Sequence, residues 1–277
     1  MFKLVSMDLD ETLLTTDKKM PKDFKDFVSS CRDRGIIPIV ATGREYTTAK
    51  RFVGDVDIDL ICNNGNLIRN SMDSKILYVN PISHEDLKEV YNLDKDKSCN
   101  LLLHVSGNKD VDVIYQDDGK RFIDDDYISR FSKRTATFKS IDDVPLDVLS
   151  IVFTGKNEDL FKLRDVFNSN ISDKFNIHLM AMQTRAEYML EVLQKNGDKF
   201  EGLKFYCKSK NIDLKDVVAI GDDSNDKNII KNCGLGIAMI NAIPDVKDVA
   251  KLISKKDNNN NGAIEILKEV LWWLYEY

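Results

Sequence analysis

The sequence is poor in the residues that build disulfide frameworks, zinc centres and membrane spans. Its five cysteines include no C-x-x-C pair, and its three histidines do not have zinc-ligand spacing. We therefore expect free thiols in a reducing compartment. No apolar run reaches the roughly 18–20 residues of a membrane helix. The apolar segment Met1–Met7 stops at Asp8, too early for a signal peptide. These absences predict a cytoplasmic protein without a membrane partner.

The charge balance shows no excess of positive residues. Lys plus Arg number 40 and Asp plus Glu number 46, which gives a net charge of −6 over 277 residues. This argues against a broad nucleic-acid surface, so an anionic ligand would have to be attracted by local charges. An apolar content of 43% is ordinary for a globular chain and excludes a mainly disordered one.

Strand-like and helical segments alternate at both ends of the chain. Strands are predicted at Phe2–Leu9, Ile36–Ala41, Leu60–Cys62, Val217–Ile220 and Leu235–Met239, and helices at Pro21–Arg34, Glu45–Val53, Phe200–Ser209, Asn225–Lys231 and Ile264–Tyr275. Val249–Ile253 fits either type. This alternation predicts a doubly wound, Rossmann-like parallel sheet of the α/β class.

The middle of the chain has a less regular pattern. Strands are predicted there at Leu101–Val105, Val111–Tyr115 and Leu149–Phe153, and a helix at Glu158–Phe167. We therefore predict a core formed by residues 1–81 and 188–277, with an α/β domain inserted over 82–187. Asp257–Gly262, which is rich in Asn, is interpreted as a turn.

Acidic or small polar residues follow three of the predicted core strands. Asp8 and Asp10 follow the first, Thr42-Gly43-Arg44 the second, and the acids of Gly221–Asp226 a later one. Ligands bind at the carboxyl ends of parallel strands. Close carboxylates repel unless a cation intervenes, and Mg²⁺ prefers such oxygen ligands. A threonine and a glycine opening a helix suit a phosphate group.

Each of these segments also has a plainer interpretation. The acids after the first strand could form only a turn, Thr42 could serve only as an N-cap, and Asp222 and its neighbours could cap a helix. Lys199 could neutralise the acids or lie on a solvated helix face. The P-loop pattern and G-x-G-x-x-G are absent, so nucleotide binding by those routes is not predicted.

Taken together, these residues resemble the haloacid dehalogenase superfamily, and within it the Cof-type, sugar-phosphatase-like hydrolases. Asp8–Thr12 resembles the D-x-D-x-T motif, Thr42-Gly43-Arg44 the T-G-R motif, Asn63-Asn64-Gly65 the N-N-G loop, and Gly221–Asp226 the G-D-x-x-N-D motif. The segment Ala238–Ala242 is similar to A-M-x-N-A. The resemblance covers essentially the whole chain, and the insert is placed like the cap of the family.

The resemblance implies a Mg²⁺-dependent phosphatase acting on small phosphomonoesters such as sugar phosphates. Asp8 would be the nucleophile that forms an aspartyl phosphate. Asp10 would be the general acid and then the base, and we expect crowding by negative charge to raise its pKa. The metal site would comprise Asp8, the carbonyl of Asp10, Asp222 and Asp226, with Asp226 orienting Lys199 or a metal-bound water.

The resemblance also implies the phosphoryl-binding residues. These would be Leu9, Thr12, Thr42, Gly43, Arg44, Asn64, Lys199 and Asn225. The family lysine is usually followed by glycine, whereas Phe200 follows Lys199, so Lys195 and Lys204 remain rivals for its role.

Two alternative functions stay open. A phosphotransferase or hexose-phosphate mutase could use the same scaffold. A non-catalytic phosphoaspartate signalling module is a further alternative, although an acid/base at Asp10 would hydrolyse its acyl phosphate. We expect a small phosphate ester as the partner, specificity set by the insert, and a monomer or weak homodimer.

Overall fold

The computed structural model of the protein describes residues 1–107, 111–117, 128, 134–181 and 188–272. The chain forms two compact units. Unit 1 comprises Met1–Tyr78 and Asp198–Tyr277, and unit 2 comprises Val79–Gly197. Among the described residues, no helix is long and apolar enough to cross a membrane.

Unit 1 is built on an eight-stranded sheet. Its strands are β1 (Leu4–Met7), β2 (Ile37–Ala41), β3 (Asp59–Cys62), β4 (Leu67–Asn70), β5 (Ile76–Val79), β12 (Val217–Gly221), β13 (Leu235–Ala238) and β14 (Leu252–Ile253). They lie in the order β14-β13-β12-β1-β2-β3-β4-β5. The pairs from β14 to β3 are parallel, and β4 runs antiparallel to β3. This arrangement confirms the predicted α/β class with a parallel core sheet.

Both faces of the central strands β1 and β12 are buried, as their runs of apolar residues predict, whereas the edge strand β14 is exposed. The helices described in unit 1 are α1 (Phe24–Asp33), α2 (Tyr46–Val53), α5 (Lys199–Ser209), α6 (Lys227–Asn232), α7 (Pro244–Lys247) and α8 (Gly262–Trp272). Leu203 and Tyr206 of α5 pack with Leu4 and Ile39 on one face. Val5 alternates to the opposite face and is also fully buried.

Unit 2 is built on a mostly antiparallel sheet of six strands. They are β6 (Asn100–Val105), β7 (Val113–Gln116), β8 (Thr135–Phe138), β9 (Val148–Thr154), β10 (Phe175–Ala181) and β11 (Tyr188–Gln194), in the order β10-β11-β9-β6-β7-β8. Among the strand pairs described in unit 2, only the pairing of β7 with β8 is parallel. The helices α3 (His84–Leu93) and α4 (Asn157–Asn170) contribute Leu87, Leu160 and Phe167 to a core with Leu103 and Ile151.

The boundary between the units differs from the sequence-based one. The sequence predicts a return to the core at residue 188, whereas the structure places the return at Asp198. The intervening segment is β11, which pairs antiparallel with both β9 and β10. The predicted terminal helix, Ile264–Tyr275, is observed as Gly262–Trp272, and residues 273–277 lie outside the described residues.

Candidate active site

The carboxyl ends of four neighbouring strands meet at one edge of the sheet in unit 1. Met7 at the end of β1 is in register with Val40 of β2 and Ile220 of β12. Asp8, Thr42 and Asp222 follow these three strands directly, and Asn63 follows β3. The parallel topology therefore brings together polar residues that are up to about 210 positions apart in the sequence.

Three carboxylates form a compact cluster at this edge. Asp8, Asp222 and Asp226 each offer an oxygen that lies within 4.8 Å of the other two. Asp226 folds back over the end of β12, where its Oδ2 accepts hydrogen bonds from the backbone N–H groups of Asp222 at 3.1 Å and Asp223 at 3.2 Å. A Cβ on Gly221 would lie 2.3 Å from the Asp226 carboxyl carbon, so the fold-back requires glycine there.

A buried lysine neutralises part of this negative charge. The Nζ of Lys199 lies 2.6 Å from Asp8 Oδ1 and 2.8 Å from Asp226 Oδ1. Its side chain is only 1% exposed. The rivals predicted from the sequence bind elsewhere: Lys195 donates to the Ser172 carbonyl, and Lys204 pairs with an exposed glutamate. Lys199 is therefore the lysine that contacts Asp8.

Helix α5 holds Lys199 in place by close packing and by an N-cap. Asp198 caps the helix by accepting a hydrogen bond from the backbone N–H of Glu201 at 2.8 Å. Gly202 lies against the N-N-G loop, where an added Cβ would be 2.8 Å from the Cα of Gly65. Because both contacting positions are glycine, the first turn of α5 can approach the strand ends closely.

Burial and mutual repulsion dominate the electrostatics of the cluster. Burial raises the pKa of Asp8 well above its usual value; Lys199 opposes this, and Asp226 and Asp222 add to it. Burial also raises the pKa of Asp222 to about 7, against a hydrogen bond from Thr12. Burial disfavours the charged form of Lys199, but Asp226 and Asp8 outweigh that effect and raise its pKa. One lysine does not offset three acids, so the cluster favours a further positive charge.

This donor set fits a magnesium ion. All three groups offer oxygen, and hard divalent cations prefer oxygen ligands. Among the described residues, Asp8 and Asp222 each keep one carboxylate oxygen without a hydrogen-bond partner. Asp226 instead uses both oxygens, one for Lys199 and the other for backbone N–H groups. Its geometry therefore suits the support of Lys199 better than direct coordination.

Asp10 faces cations and not the carboxylate cluster. Its carboxylate accepts two hydrogen bonds from Arg44, Nε to Oδ2 at 2.6 Å and Nη2 to Oδ1 at 2.7 Å. Lys18 Nζ lies 3.0 Å from Oδ1. Burial raises the pKa of Asp10, but Arg44 and Lys18 outweigh it, so the pKa is lowered. The prediction that crowding raises this pKa is therefore wrong for this structure, because the side chain points at two cations.

Two residues predicted to bind the phosphoryl group have other partners here. The Thr12 hydroxyl donates to Asp222 Oδ1 at 2.6 Å, and Arg44 is engaged by Asp10. The remaining predicted residues line the same edge. Asn225 Nδ2 donates to Asn64 Oδ1 at 3.0 Å, and a Cβ on Gly43 would meet both amides at 3.1–3.5 Å.

The side chains of Thr42 and Leu9 are buried, which limits the atoms that they can offer to a ligand. Thr42 is 1% exposed, and its Oγ1 accepts a hydrogen bond from the Arg44 N–H at 3.1 Å. The side chain of Leu9 is fully buried, which leaves its backbone as the part able to face a ligand. Two contacts of this site were not predicted from the sequence: Lys18 pairs with Asp10, and the carboxylate of Glu11 pairs with Lys18.

Known proteins are similar to this chain in sequence and in fold. The model of the haloacid dehalogenase-like hydrolase family matches residues 5–267. The chain is 23% identical over 278 residues to "Putative phosphatase YxeH" of Bacillus subtilis, covering 98% of this chain and 99% of that protein. It is 25% identical over 291 residues to 5-amino-6-(5-phospho-D-ribitylamino)uracil phosphatase YwtE of the same organism, covering 97% and 98%. A haloacid dehalogenase-like hydrolase from Bacteroides thetaiotaomicron has a similar fold, with a TM-score of 0.77, 21% identity and coverage of 98% and 100%.

Proposed function

The chain belongs to the haloacid dehalogenase-like hydrolase family and is a phosphatase, and we propose that it hydrolyses small phosphomonoesters with the help of Mg²⁺ through a phosphoaspartate on Asp8. The observation that supports this most strongly is the contact between a buried lysine and the first carboxylate after β1. Lys199 Nζ lies 2.6 Å from Asp8 Oδ1, in a cluster of three acids. A carboxylate held beside a cation, with one oxygen left over, is suited to attack a phosphorus atom.

In the first step, an oxygen of Asp8 forms a bond to phosphorus as the bond to the ester oxygen breaks. Asp10 gives its proton to the departing oxygen. In the second step, a water molecule attacks the phosphoaspartate, Asp10 takes the proton, and inorganic phosphate leaves Asp8. Arg44 and Lys18 favour the ionised form of Asp10, which is the form that accepts a proton in the second step.

The first step also requires Asp10 to hold a proton. We propose that the hydrogen bonds from Arg44 to Asp10 weaken when an anionic substrate binds and becomes a second partner of Arg44. Lys199 stays between Asp8 and Asp226 and stabilises the negative charge that spreads over the phosphoryl oxygens. When bound by Asp8, Asp222 and the Asp10 carbonyl, Mg²⁺ would offset the repulsion between the nucleophile and the phosphoryl oxygens.

A small polyol or sugar phosphate is the substrate class to test first. Two relatives, 25% and 24% identical to this chain, are named phosphatases of 5-amino-6-(5-phospho-D-ribitylamino)uracil, whose name describes a phosphorylated ribityl chain. At this identity the individual compound does not transfer, whereas the chemical class does guide the choice of panel.

The proposal is tested by measuring phosphate release from a panel of sugar, polyol and nucleoside phosphates. We expect chelation to abolish release and Mg²⁺ to restore it, while Ca²⁺ does not, because its longer bonds and higher coordination number misplace the nucleophile. Full activity in excess chelator would contradict the metal assignment. Transfer of phosphate to a second sugar without release of inorganic phosphate would favour the phosphotransferase alternative.

A further inference from the structure

Glu11 has an unusual backbone conformation for its residue type. Its φ is +52°, in the left-handed region that favours glycine. Such a residue persists when its surroundings stabilise it, and residues of this kind cluster at functional sites. It lies directly after Asp10, so the reason for its presence bears on the proposed acid/base.

The Glu11 side chain collects three hydrogen-bond donors. Its carboxylate accepts from Thr16 Oγ1 at 2.9 Å, from Lys18 Nζ at 2.9 Å and from Asn258 Nδ2 at 3.0 Å. Its backbone carbonyl also accepts from Asn241 Nδ2 at 2.8 Å. A glycine at this position would adopt the same φ without strain but would lose the three side-chain bonds.

The Asn-rich turn near the end of the chain fixes the same loop. Besides contacting Glu11, Asn258 Nδ2 donates to the Leu14 carbonyl at 3.0 Å, and Asn258 is 3% exposed. Asn259 Oδ1 accepts from the Thr16 backbone N–H at 3.0 Å, and its Nδ2 donates to Thr16 Oγ1 at 3.2 Å. We call the five residues Glu11, Thr16, Lys18, Asn258 and Asn259 the latch.

Within the latch, Lys18 is the residue that contacts Asp10. Its Nζ lies 2.9 Å from Glu11 Oε1 and 3.0 Å from Asp10 Oδ1. Without Glu11, this flexible side chain would keep one acidic partner in place of two, and the loop would lose one of its two hydrogen bonds to Asn258. Lys18 therefore links the Asp10 carboxylate, which Arg44 also holds, to Glu11.

We propose that Glu11 is a positioning residue for Asp10, acting through Lys18, and that the Asn258–Asn259 turn holds Glu11 in place. This inference rests on the proposed function, because it assigns Asp10 the proton transfer to the departing oxygen. It predicts that loss of Glu11 harms reactions that need this proton and spares reactions that do not.

The experiment compares two phosphate esters at saturating Mg²⁺. Glycerol 2-phosphate has an alkoxide leaving group that must be protonated, whereas 4-nitrophenyl phosphate releases a stable phenolate. For Glu11→Gly we expect kcat on glycerol 2-phosphate to fall about 10- to 100-fold. This is a part of the contribution of general acid catalysis to the rate, which is typically about 10²–10⁴-fold. We expect kcat on 4-nitrophenyl phosphate to change less than about 3-fold, with KM nearly unchanged for both esters.

Three further variants sharpen the test. Glu11→Gln keeps one acceptor oxygen, so its kcat on glycerol 2-phosphate should fall less than that of Glu11→Gly. Lys18→Met should show the same selective loss as Glu11→Gly. Glu269→Gln is the matched control, because Glu269 also pairs with a lysine, at 2.9 Å, on the exposed surface. We expect this control to match wild type on both esters.

A double-mutant comparison separates positioning from general damage. If Glu11 acts through Asp10, adding Glu11→Gly to the Asp10→Asn variant should lower kcat by less than about a further 2-fold. Equal losses on both esters, no loss on either, or fully additive losses with Asp10→Asn would each overturn the inference. If wild type released no phosphate, or if Asp8→Asn were as active as wild type, the proposed function itself would fail.

Discussion

The two units of this protein both bury ionisable groups in a β-sheet, but they arrange them differently. In unit 1, Asp8, Asp222 and Asp226 converge with Lys199 at one edge of parallel strands. In unit 2, His104 lies within β6 opposite Ser150, and Glu191 lies within β11 opposite Val152. Burial lowers the pKa of His104 to about 4 and raises the pKa of Glu191 to about 7, so both favour their neutral forms.

Strand direction explains much of the difference. Parallel strands end at the same edge, so polar residues that follow several strands meet there and influence one another. Antiparallel neighbours end at opposite edges, so polar residues that follow such strands are separated, and burial is the largest influence on the pKa of His104 and of Glu191. Unit 1 therefore concentrates ionisable groups that can act on a ligand together, whereas in unit 2 burial shifts the pKa of each of these two groups toward its neutral form.

The largest expected effect is the loss of activity in Asp8→Asn. The amide is a poor nucleophile, so we expect kcat to fall at least about 10³-fold. Circular dichroism should show the fold unchanged, because the amide still fits beside Lys199. Mass spectrometry after rapid quenching should find phosphate on Asp8 in wild type, and phosphate trapped on another residue would contradict the mechanism.

Lys199→Ala tests whether the cluster in unit 1 depends on its lysine. Removal of one partner from a buried charge cluster costs about 3–5 kcal/mol of unfolding free energy. We expect Mg²⁺ to recover part of this loss, because a bound cation restores positive charge to the acids. Denaturant unfolding with and without Mg²⁺ measures both effects.

The matched control for that experiment is Lys204→Ala. Lys204 pairs with Glu201 at 2.6 Å and is 41% exposed, so its removal should change the unfolding free energy by less than about 1 kcal/mol. Equal losses in the two variants would show that the buried position of Lys199 has no special importance.

Replacement of unit 2 by a short linker tests whether specificity belongs to that unit. We expect a folded unit 1 that binds Mg²⁺ and still hydrolyses an activated aryl phosphate weakly. We expect its preference among natural esters to shrink by about 10-fold or more, because discrimination comes from contacts with the leaving group. An unchanged ranking of kcat/KM values would place specificity in unit 1, for example at Arg44 or Asn64.

The smallest expected effect concerns Glu191 and pH. Because its pKa is raised in the folded state, its favourable contribution is present below the ordinary pKa of glutamate, about 4.5, and is lost as the pH rises through about 7. Glu191→Gln removes this loss. We expect its gain in free energy of unfolding over wild type to be small near pH 5, where the loss has only begun, and to reach about 1–2 kcal/mol at pH 8.

Thermal unfolding at the two pH values checks the Glu191 prediction. Glu265→Gln is a suitable control, because Glu265 forms a half-exposed ion pair with Lys256 at 2.7 Å. If Glu191→Gln gained as much unfolding free energy over wild type at pH 5 as at pH 8, the assignment of a raised pKa to Glu191 would be contradicted.

The sequence by itself predicted the α/β class, because the alternation of apolar segments is a local property that reports which residues face a core. It also identified Asp8, Thr42 and Asp222 as a group, since residues that directly follow parallel strands must lie at the same edge. The absence of paired cysteines and zinc-spaced histidines left oxygen ligands as the candidate chemistry.

Only the tertiary structure decided which charges meet. Lys195, Lys199 and Lys204 are alike as sequence features, and the packing of Gly202 against Gly65 determines that Lys199 faces Asp8. The cations around Asp10 reverse the expected direction of its pKa shift, and Glu11 meets Asn258 across 247 positions of sequence. Local patterns determine which face of an element is apolar, whereas ionic contacts depend on side-chain distances of a few ångströms that only the packed fold defines.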